Sequence, residues 1–109
     1  MTIIFSCPYL RVEVELTEER EKHIADNHPD LLPKIRDSIA QTLSDPDQIR
    51  RSKRFESARL FSKWFEDVKD GKYIVVVVMT DSAHHSRHWI ITAYIARRLS
   101  QGEIEWKKN

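Results

Sequence analysis

Arg87-His88-Trp89-Ile90-Ile91-Thr92-Ala93-Tyr94-Ile95-Ala96-Arg97-Arg98 is the stretch whose reading decides the fold. It is rich in β-branched and aromatic residues, which favour a pleated, half-buried surface, so it reads as a strand. Side chains alternate between the two faces of a strand. One face then carries Trp89, Ile91, Ala93 and Ile95, all apolar. The other carries His88, Thr92, Tyr94 and Arg98, with Ile90 and Ala96 between them. A sheet packed on one face and wetted on the other produces this pattern. An imidazole, a hydroxyl, a phenol and a guanidinium in one row can bind a phosphate or move a proton. A solvated sheet face gives the same row, because exposed polar residues are the rule.

Working backward from that strand, Lys72 to Thr80 contains Val75-Val76-Val77-Val78, apolar on both faces as in a central strand under helices. Asp70-Gly71 supplies the positive φ angles of a hairpin turn. Arg59 to Glu66 alternates Leu60, Ser62 and Trp64 with Arg59, Phe61, Lys63 and Phe65. Ile49 to Phe55 reads as a short basic strand. Working forward, Gln101-Gly102 turns the chain, and Ile104 and Trp106 form a last short strand.

The first half reads differently. Residues 2–16 look extended, with Val12, Val14 and Leu16 alternating with Arg11, Glu13 and Glu15. Thr17 caps a helix whose first turn carries Glu18, Glu19 and Glu21 at its positive end. His28-Pro29 ends that helix, since the residue before proline is pushed out of the α region. Asp30 is the expected cap of a second helix, with Leu31, Leu32, Ile35, Ile39 and Leu43 along one face and Pro33 in its first turn. Ser44-Asp45-Pro46-Asp47 closes it as a turn. The expected architecture is α+β, two N-terminal helices packed on one face of an antiparallel meander. Residues 1–109 form a single domain, without repeats or linkers.

Composition narrows the class. The chain has 109 residues, 40% hydrophobic and 32% charged, which suits a globular protein with a modest core. No apolar run approaches the ~20 residues a membrane span requires, and no basic leader opens the chain. Cys7 is the single cysteine, expected to be buried and inert, so a cytoplasmic address without membrane partners is expected. The net charge of +1 hides an asymmetry. Residues 13–31 hold seven acidic against two basic side chains, and residues 49–64 hold six basic (Arg50, Arg51, Lys53, Arg54, Arg59, Lys63) against Glu56. Such a basic segment attracts a polyanion; a charge-blunted edge strand has the same composition.

Five histidines raise the question of a metal. His84, His85 and His88 cluster around a turn, where no cysteine or helical histidine pair completes a zinc set, so neither a metal nor a cofactor is expected. His23 lies inside the first helix, near the apolar positions Ile24 and Leu31. His28 follows the helix end, where an imidazolium also suits the helix dipole. His23, the Thr92/Tyr94 row and the basic segment together suggest metal-independent RNA cleavage. That reaction needs a base for the 2′-hydroxyl, an acid for the leaving 5′-oxygen, and fixed donors for the charge on the phosphorane.

Four pieces of the chain carry a family likeness. They are His23-Ile24 with His28-Pro29, Asp45-Pro46-Asp47-Gln48-Ile49 with Ser52, the Arg59…Phe61 strand leading to Val75–Val78, and Ile91-Thr92-Ala93-Tyr94. In these the chain resembles the phage and mobile-element branch of the barnase–EndoU–colicin E5/D–RelE-like (BECR) nuclease superfamily. The resemblance implies two helices on an antiparallel, about four-stranded sheet. It implies a metal-independent endoribonuclease that leaves a 2′,3′-cyclic phosphate, acting as a toxin whose partners are RNA and a cognate antitoxin. Under it, His23 would be base or acid, Arg59 with Lys63 would hold the scissile phosphate, Thr92 would orient the phosphate or the base, and Tyr94 would donate to the phosphate or stack on a nucleotide. Arg51 and Lys53 would bind flanking phosphates, with Arg50, Arg54 and Arg98 as further RNA contacts. His88 and the His84-His85 loop fall outside the family pattern, which leaves His88 as an alternative general acid; His28 is a further possible catalytic residue. Two other readings fit the same residues: a catalytically inactive RNA-binding module, and a protein-interaction domain.

Overall fold

The computed structural model describes residues 2–55, 57–81, 83, 87–99 and 102–108. The chain opens with a hairpin, β1 (Ile3–Cys7) and β2 (Val12–Leu16). Pro8 and a left-handed Arg11, at φ 59°, reverse the chain between them. Helix α1 (Glu18–Asn27) follows, with the Thr17 hydroxyl accepting from the Arg20 N–H at 3.2 Å. A 3₁₀ turn (Pro29–Leu31) leads to α2 (Ile35–Ser44). The rest is β3 (Gln48–Arg51), β4 (Ala58–Phe65), β5 (Lys72–Thr80), β6 (His88–Ala96) and β7 (Glu103–Lys107).

All seven strands belong to one sheet, in the order β1-β2-β6-β5-β4-β3-β7. Neighbours are antiparallel except β2 and β6, which run parallel with Glu15 opposite Trp89. This corrects the sequence expectation of two N-terminal helices on an antiparallel, about four-stranded sheet. The helices follow a hairpin, and the sheet is mixed and seven-stranded among the described residues. Residues 2–16 are two strands because the Pro8–Arg11 turn folds one alternating run back on itself. The short, charged β3 and β7 extend the other side of the sheet. The second helix also starts later than expected. Asp30 lies in the 3₁₀ turn, Pro33 precedes the helix, and Lys34 is the N-cap.

The core lies between the helices and one sheet face. Ile24, Ile35, Ile39 and Leu43 pack on Phe5, Val14, Leu16, Ile49, Phe61, Ile74, Val76, Val78, Ile90 and Ala93. Burying each large apolar side chain contributes roughly 1.5–3 kcal/mol, so this layer dominates the stability. Helix α2 packs on β1, β4 and β5, and the sheet curls round it. Tyr9, in the first turn, reaches Phe61 of β4 at 6.2 Å and Trp106 of β7 at 5.9 Å between ring centroids. Helix α1 packs along β6, which among the described residues has no ladder partner on that side beyond Trp89.

A bulge in β6 revises the face assignment. Thr92 pairs with Val77, but Ile90 pairs with Val78, so Ile91 is an inserted residue. Ile90, Ala93 and Ile95 therefore share the helix-covered face, and His88 joins them, paired with Thr80 and 6% exposed. Thr92 and Tyr94 remain on the helix-free face. Strict alternation put His88 with Thr92; one extra residue separates them.

Candidate nucleic-acid interface

The helix-free face is where polar side chains converge. Directly paired residues across antiparallel strands share a face. Ser62, Val75 and Tyr94 form one row across β4, β5 and β6; Leu60, Val77 and Thr92 form the next. On β3, Arg50 pairs with Leu60 and so joins this face. Arg98 and Leu99, in the connection leaving β6, lie over it. Together Arg50, Leu60, Ser62, Val75, Tyr94, Ala96, Arg98 and Leu99 line a concavity of about 140 Å³.

Arg50, Ser62 and Tyr94 have defined settings in the concavity. The Arg50 guanidinium donates to Gln48 Oε1 at 3.1 Å and to the Gly102 carbonyl at 3.5 Å, which holds it at the rim. Ser62 Oγ donates to the Gln48 carbonyl at 3.3 Å. Burial pushes the Tyr94 phenol above its usual pKa, so it stays a protonated donor well past neutral pH. The His28 ring lies 6.0 Å from the Tyr94 ring. His28 is the C-cap of α1, and its backbone leaves the helical path at φ −133° and ψ 63°. That departure places an imidazole beside Tyr94, opposite the unpaired side of β6. Tyr94 thus stands between an imidazole and a cavity with two guanidiniums.

The remaining expected site residues lie elsewhere. His23 is exposed, and its ring accepts from the Asn27 amide at 3.3 Å. Arg59 pairs with Val78 and Lys63 with Ile74, so both share the helix-covered face, opposite Thr92 and Tyr94. Lys63 Nζ meets Asp45 Oδ2 at 3.1 Å. Arg59 Nε meets Glu105 Oε2 at 2.9 Å. Arg51 joins the same carboxylate at 3.5 Å, and Tyr9 Oη donates to it at 2.6 Å. Burial raises the Glu105 pKa, but the Tyr9 and Arg59 hydrogen bonds and the two guanidiniums outweigh it and hold the carboxyl below the usual range. His88 Nδ1 lies 2.9 Å from Thr80 Oγ1 inside the fold. Lys53 and Arg54 are exposed, with the Arg54 guanidinium 5.4 Å from the Phe55 ring centroid. His84 and His85 lie outside the described residues.

The sequence reading therefore named several of the residues that meet on this face. Arg50, Thr92, Tyr94 and Arg98 share one face, and His28 adjoins Tyr94. Ser62 and Leu99 were not singled out; alternation placed Ser62 on the right face, but nothing local marked it as part of a cavity. The Tyr9–Arg59–Glu105 group was also missed, because its members lie 46 to 96 positions apart. No family model, curated protein or solved structure matches this chain. No helix among the described residues is long and apolar enough to cross a membrane.

Proposed function

We propose that the protein is a metal-independent endoribonuclease that takes single-stranded RNA on the helix-free sheet face. The observation that supports this reading is the position of Tyr94, with the His28 ring on one side and the Arg50/Arg98 cavity on the other. Arg50 and Arg98 hold the scissile phosphate and offset the charge that develops on the phosphorane. Tyr94, protonated, donates to a non-bridging oxygen. His28 takes the proton of the 2′-hydroxyl as its oxygen attacks phosphorus, and the imidazolium returns that proton to the 5′-oxygen as the P–O5′ bond breaks. The products are a 2′,3′-cyclic phosphate and a free 5′-hydroxyl. In this reading His28 replaces His23, and Arg50 with Arg98 replaces Arg59 with Lys63. The toxin role and the antitoxin partner rest on the superfamily resemblance alone.

The test is incubation of a 5′-labelled single-stranded RNA with the full chain in EDTA. Cleavage to cyclic-phosphate ends, abolished by His28→Ala and retained by His23→Ala, is the expected result. Intact RNA that is nevertheless bound in a salt-dependent way makes this an RNA-binding module instead. Intact, unbound RNA overturns both.

A further inference from the structure

Trp64 and Tyr73 stand on the same face as the cavity, one row beyond it. They pair with each other across β4 and β5, and Tyr73 pairs onward with Ala96. The neighbouring row is Ser62, Val75 and Tyr94, so the two aromatic residues lie two positions, about 6.6 Å, along their strands from the cavity floor. Their rings meet edge to face, 5.0 Å between centroids and 76° between planes. Trp64 is 39% exposed, among the most exposed large apolar residues of the described chain.

An indole left in water on a folded surface is normal when isolated. This one is held in position as well as exposed. Tyr73 fixes one edge of the ring. Gly71 fixes another, because a Cβ built there would lie 2.5 Å from Trp64 Cζ2. The Trp64 N–H donates to Asp47 Oδ2 at 2.7 Å, which anchors the backbone beneath the ring. The Asp45 carboxylate nearby is matched by Lys63 and Lys108, at 3.1 and 3.0 Å. A ring immobilised before a ligand arrives loses little freedom on contact, which favours stacking.

We infer that the Trp64–Tyr73 pair is a nucleobase-stacking subsite, which takes the base adjoining the phosphate held by Arg50 and Arg98. The inference rests on the RNA reading of the cavity. A base has an apolar π-face and no charge, so it suits a bare indole, while its phosphate suits the Arg50 guanidinium, which stems from the Leu60 row two rows away and reaches back to Gln48 in the row between. Stacking on a flat ring is tolerant of base identity, so the subsite fixes register along the strand more than sequence.

The experiment uses the full chain and a fluorescein-labelled 2′-O-methyl octaribonucleotide, which resists cleavage, beside the same backbone with all bases removed. Anisotropy titrations give both affinities across a salt series. Wild type is expected to bind the base-bearing strand roughly tenfold or more tighter than the base-less one. Trp64→Ala should erase that preference while leaving the salt slope and the base-less affinity unchanged; Trp64→Phe should restore most of it. Arg50→Ala should instead weaken both strands and flatten the salt slope. Equal wild-type affinity for the two strands overturns the stacking subsite and leaves the phosphate cavity standing. Trp64→Ala binding that falls equally for both strands, or does not fall, also overturns it. Failure of wild type to bind either strand overturns the cavity and the subsite together.

Discussion

Arg59 and Thr92 face opposite sides of the sheet. Arg59 pairs with Val78, which pairs with Ile90 under the helices; Thr92 pairs with Val77, which pairs with Leu60 on the bare side. One position along β5 separates the two rows, and in a strand that is a change of face. The consequence is chemical. Arg59 sits on Glu105 with Tyr9 and Arg51, while the guanidiniums that accompany Thr92 and Tyr94 are Arg50 and Arg98. Two clusters of similar composition, built from neighbouring positions, therefore have different work. One joins the first turn to the last strand; the other presents cations beside a phenol and an imidazole.

Arg59→Ala is expected to lower stability rather than abolish RNA binding. Its side chain and that of Glu105 are 21% and 17% exposed, so the change leaves a largely desolvated carboxylate short of its 2.9 Å donor. A loss of about 1–3 kcal/mol is expected, below the figure for a fully buried pair because Arg51 and Tyr9 remain. Urea titration reads the loss. RNA affinity, measured where the variant is folded, should stay within about twofold of wild type; a tenfold fall would return Arg59 to the nucleic-acid site.

Glu105 makes part of the stability pH-dependent. Its carboxyl is held below the usual range in the folded state, so the unfolded chain takes up its proton first as pH drops. The contribution is complete above the unfolded glutamate value, about pH 4.3, and is lost as pH falls through the lower folded value. Glu21, bonded to Arg36, and Asp45, bonded to Lys108 and Lys63, shift the same way but are more exposed and screened. Melting temperatures from pH 7 to 3 should therefore fall less steeply for Glu105→Gln than for wild type. Parallel curves would show that Glu105 carries no such linkage.

How far the sequence could be read follows from which interactions are local. Alternation in Arg59–Phe65 and Thr92–Ala96 is a neighbour-to-neighbour pattern, and those strands and faces were legible; Lys72–Thr80 was legible as a central strand from its apolar run, which marks no face. The Asp70-Gly71 signal was too: φ is 63° and 101° there, although the connection runs longer than a two-residue turn. The Ile91 bulge was not legible, because Ile90-Ile91 is apolar on either parity and only the register against Val77 and Val78 reveals the insertion. The parallel contact between Glu15 and Trp89 and the Tyr9–Glu105 bond were hidden for the same reason. Each depends on how the sheet closes, not on residues near it in the chain. The sequence favoured His23 over His28; the end of α1 at Asn27 decides that His28 is the imidazole beside Tyr94.

Tyr94→Phe separates chemistry from packing. The ring that meets His28 is kept, and only the hydroxyl of this cavity-lining residue is removed. Folding stability should change by less than about 1 kcal/mol, whereas turnover on single-stranded RNA should fall at least tenfold if the phenol donates to the phosphorane. Single-turnover cleavage and thermal melts on the same preparation check both. Wild-type rates would confine Tyr94 to packing.

His88 is expected to behave as a core residue. It is 6% exposed and lies 2.9 Å from the Thr80 hydroxyl, on the face opposite Tyr94. His88→Ala should cost about 1–3 kcal/mol by stranding Thr80 and opening a void. Cleavage per folded molecule should be unchanged. Loss of cleavage without loss of stability would instead place His88 in the reaction.

Gly71→Ala links the turn to the sheet face. The position has φ +101°, where an L-residue is strained, and its Cβ would lie 2.5 Å from the Trp64 indole. Either the turn or the ring must move. A destabilisation of about 1–3 kcal/mol is expected, with a change in near-ultraviolet dichroism as the Trp64–Tyr73 edge contact is disturbed. Base-dependent RNA affinity should fall with it, while affinity for a base-less backbone is kept, since Arg50 stems from a row two beyond Trp64. An unaltered indole signal would mean that Gly71 serves the turn alone and does not position Trp64.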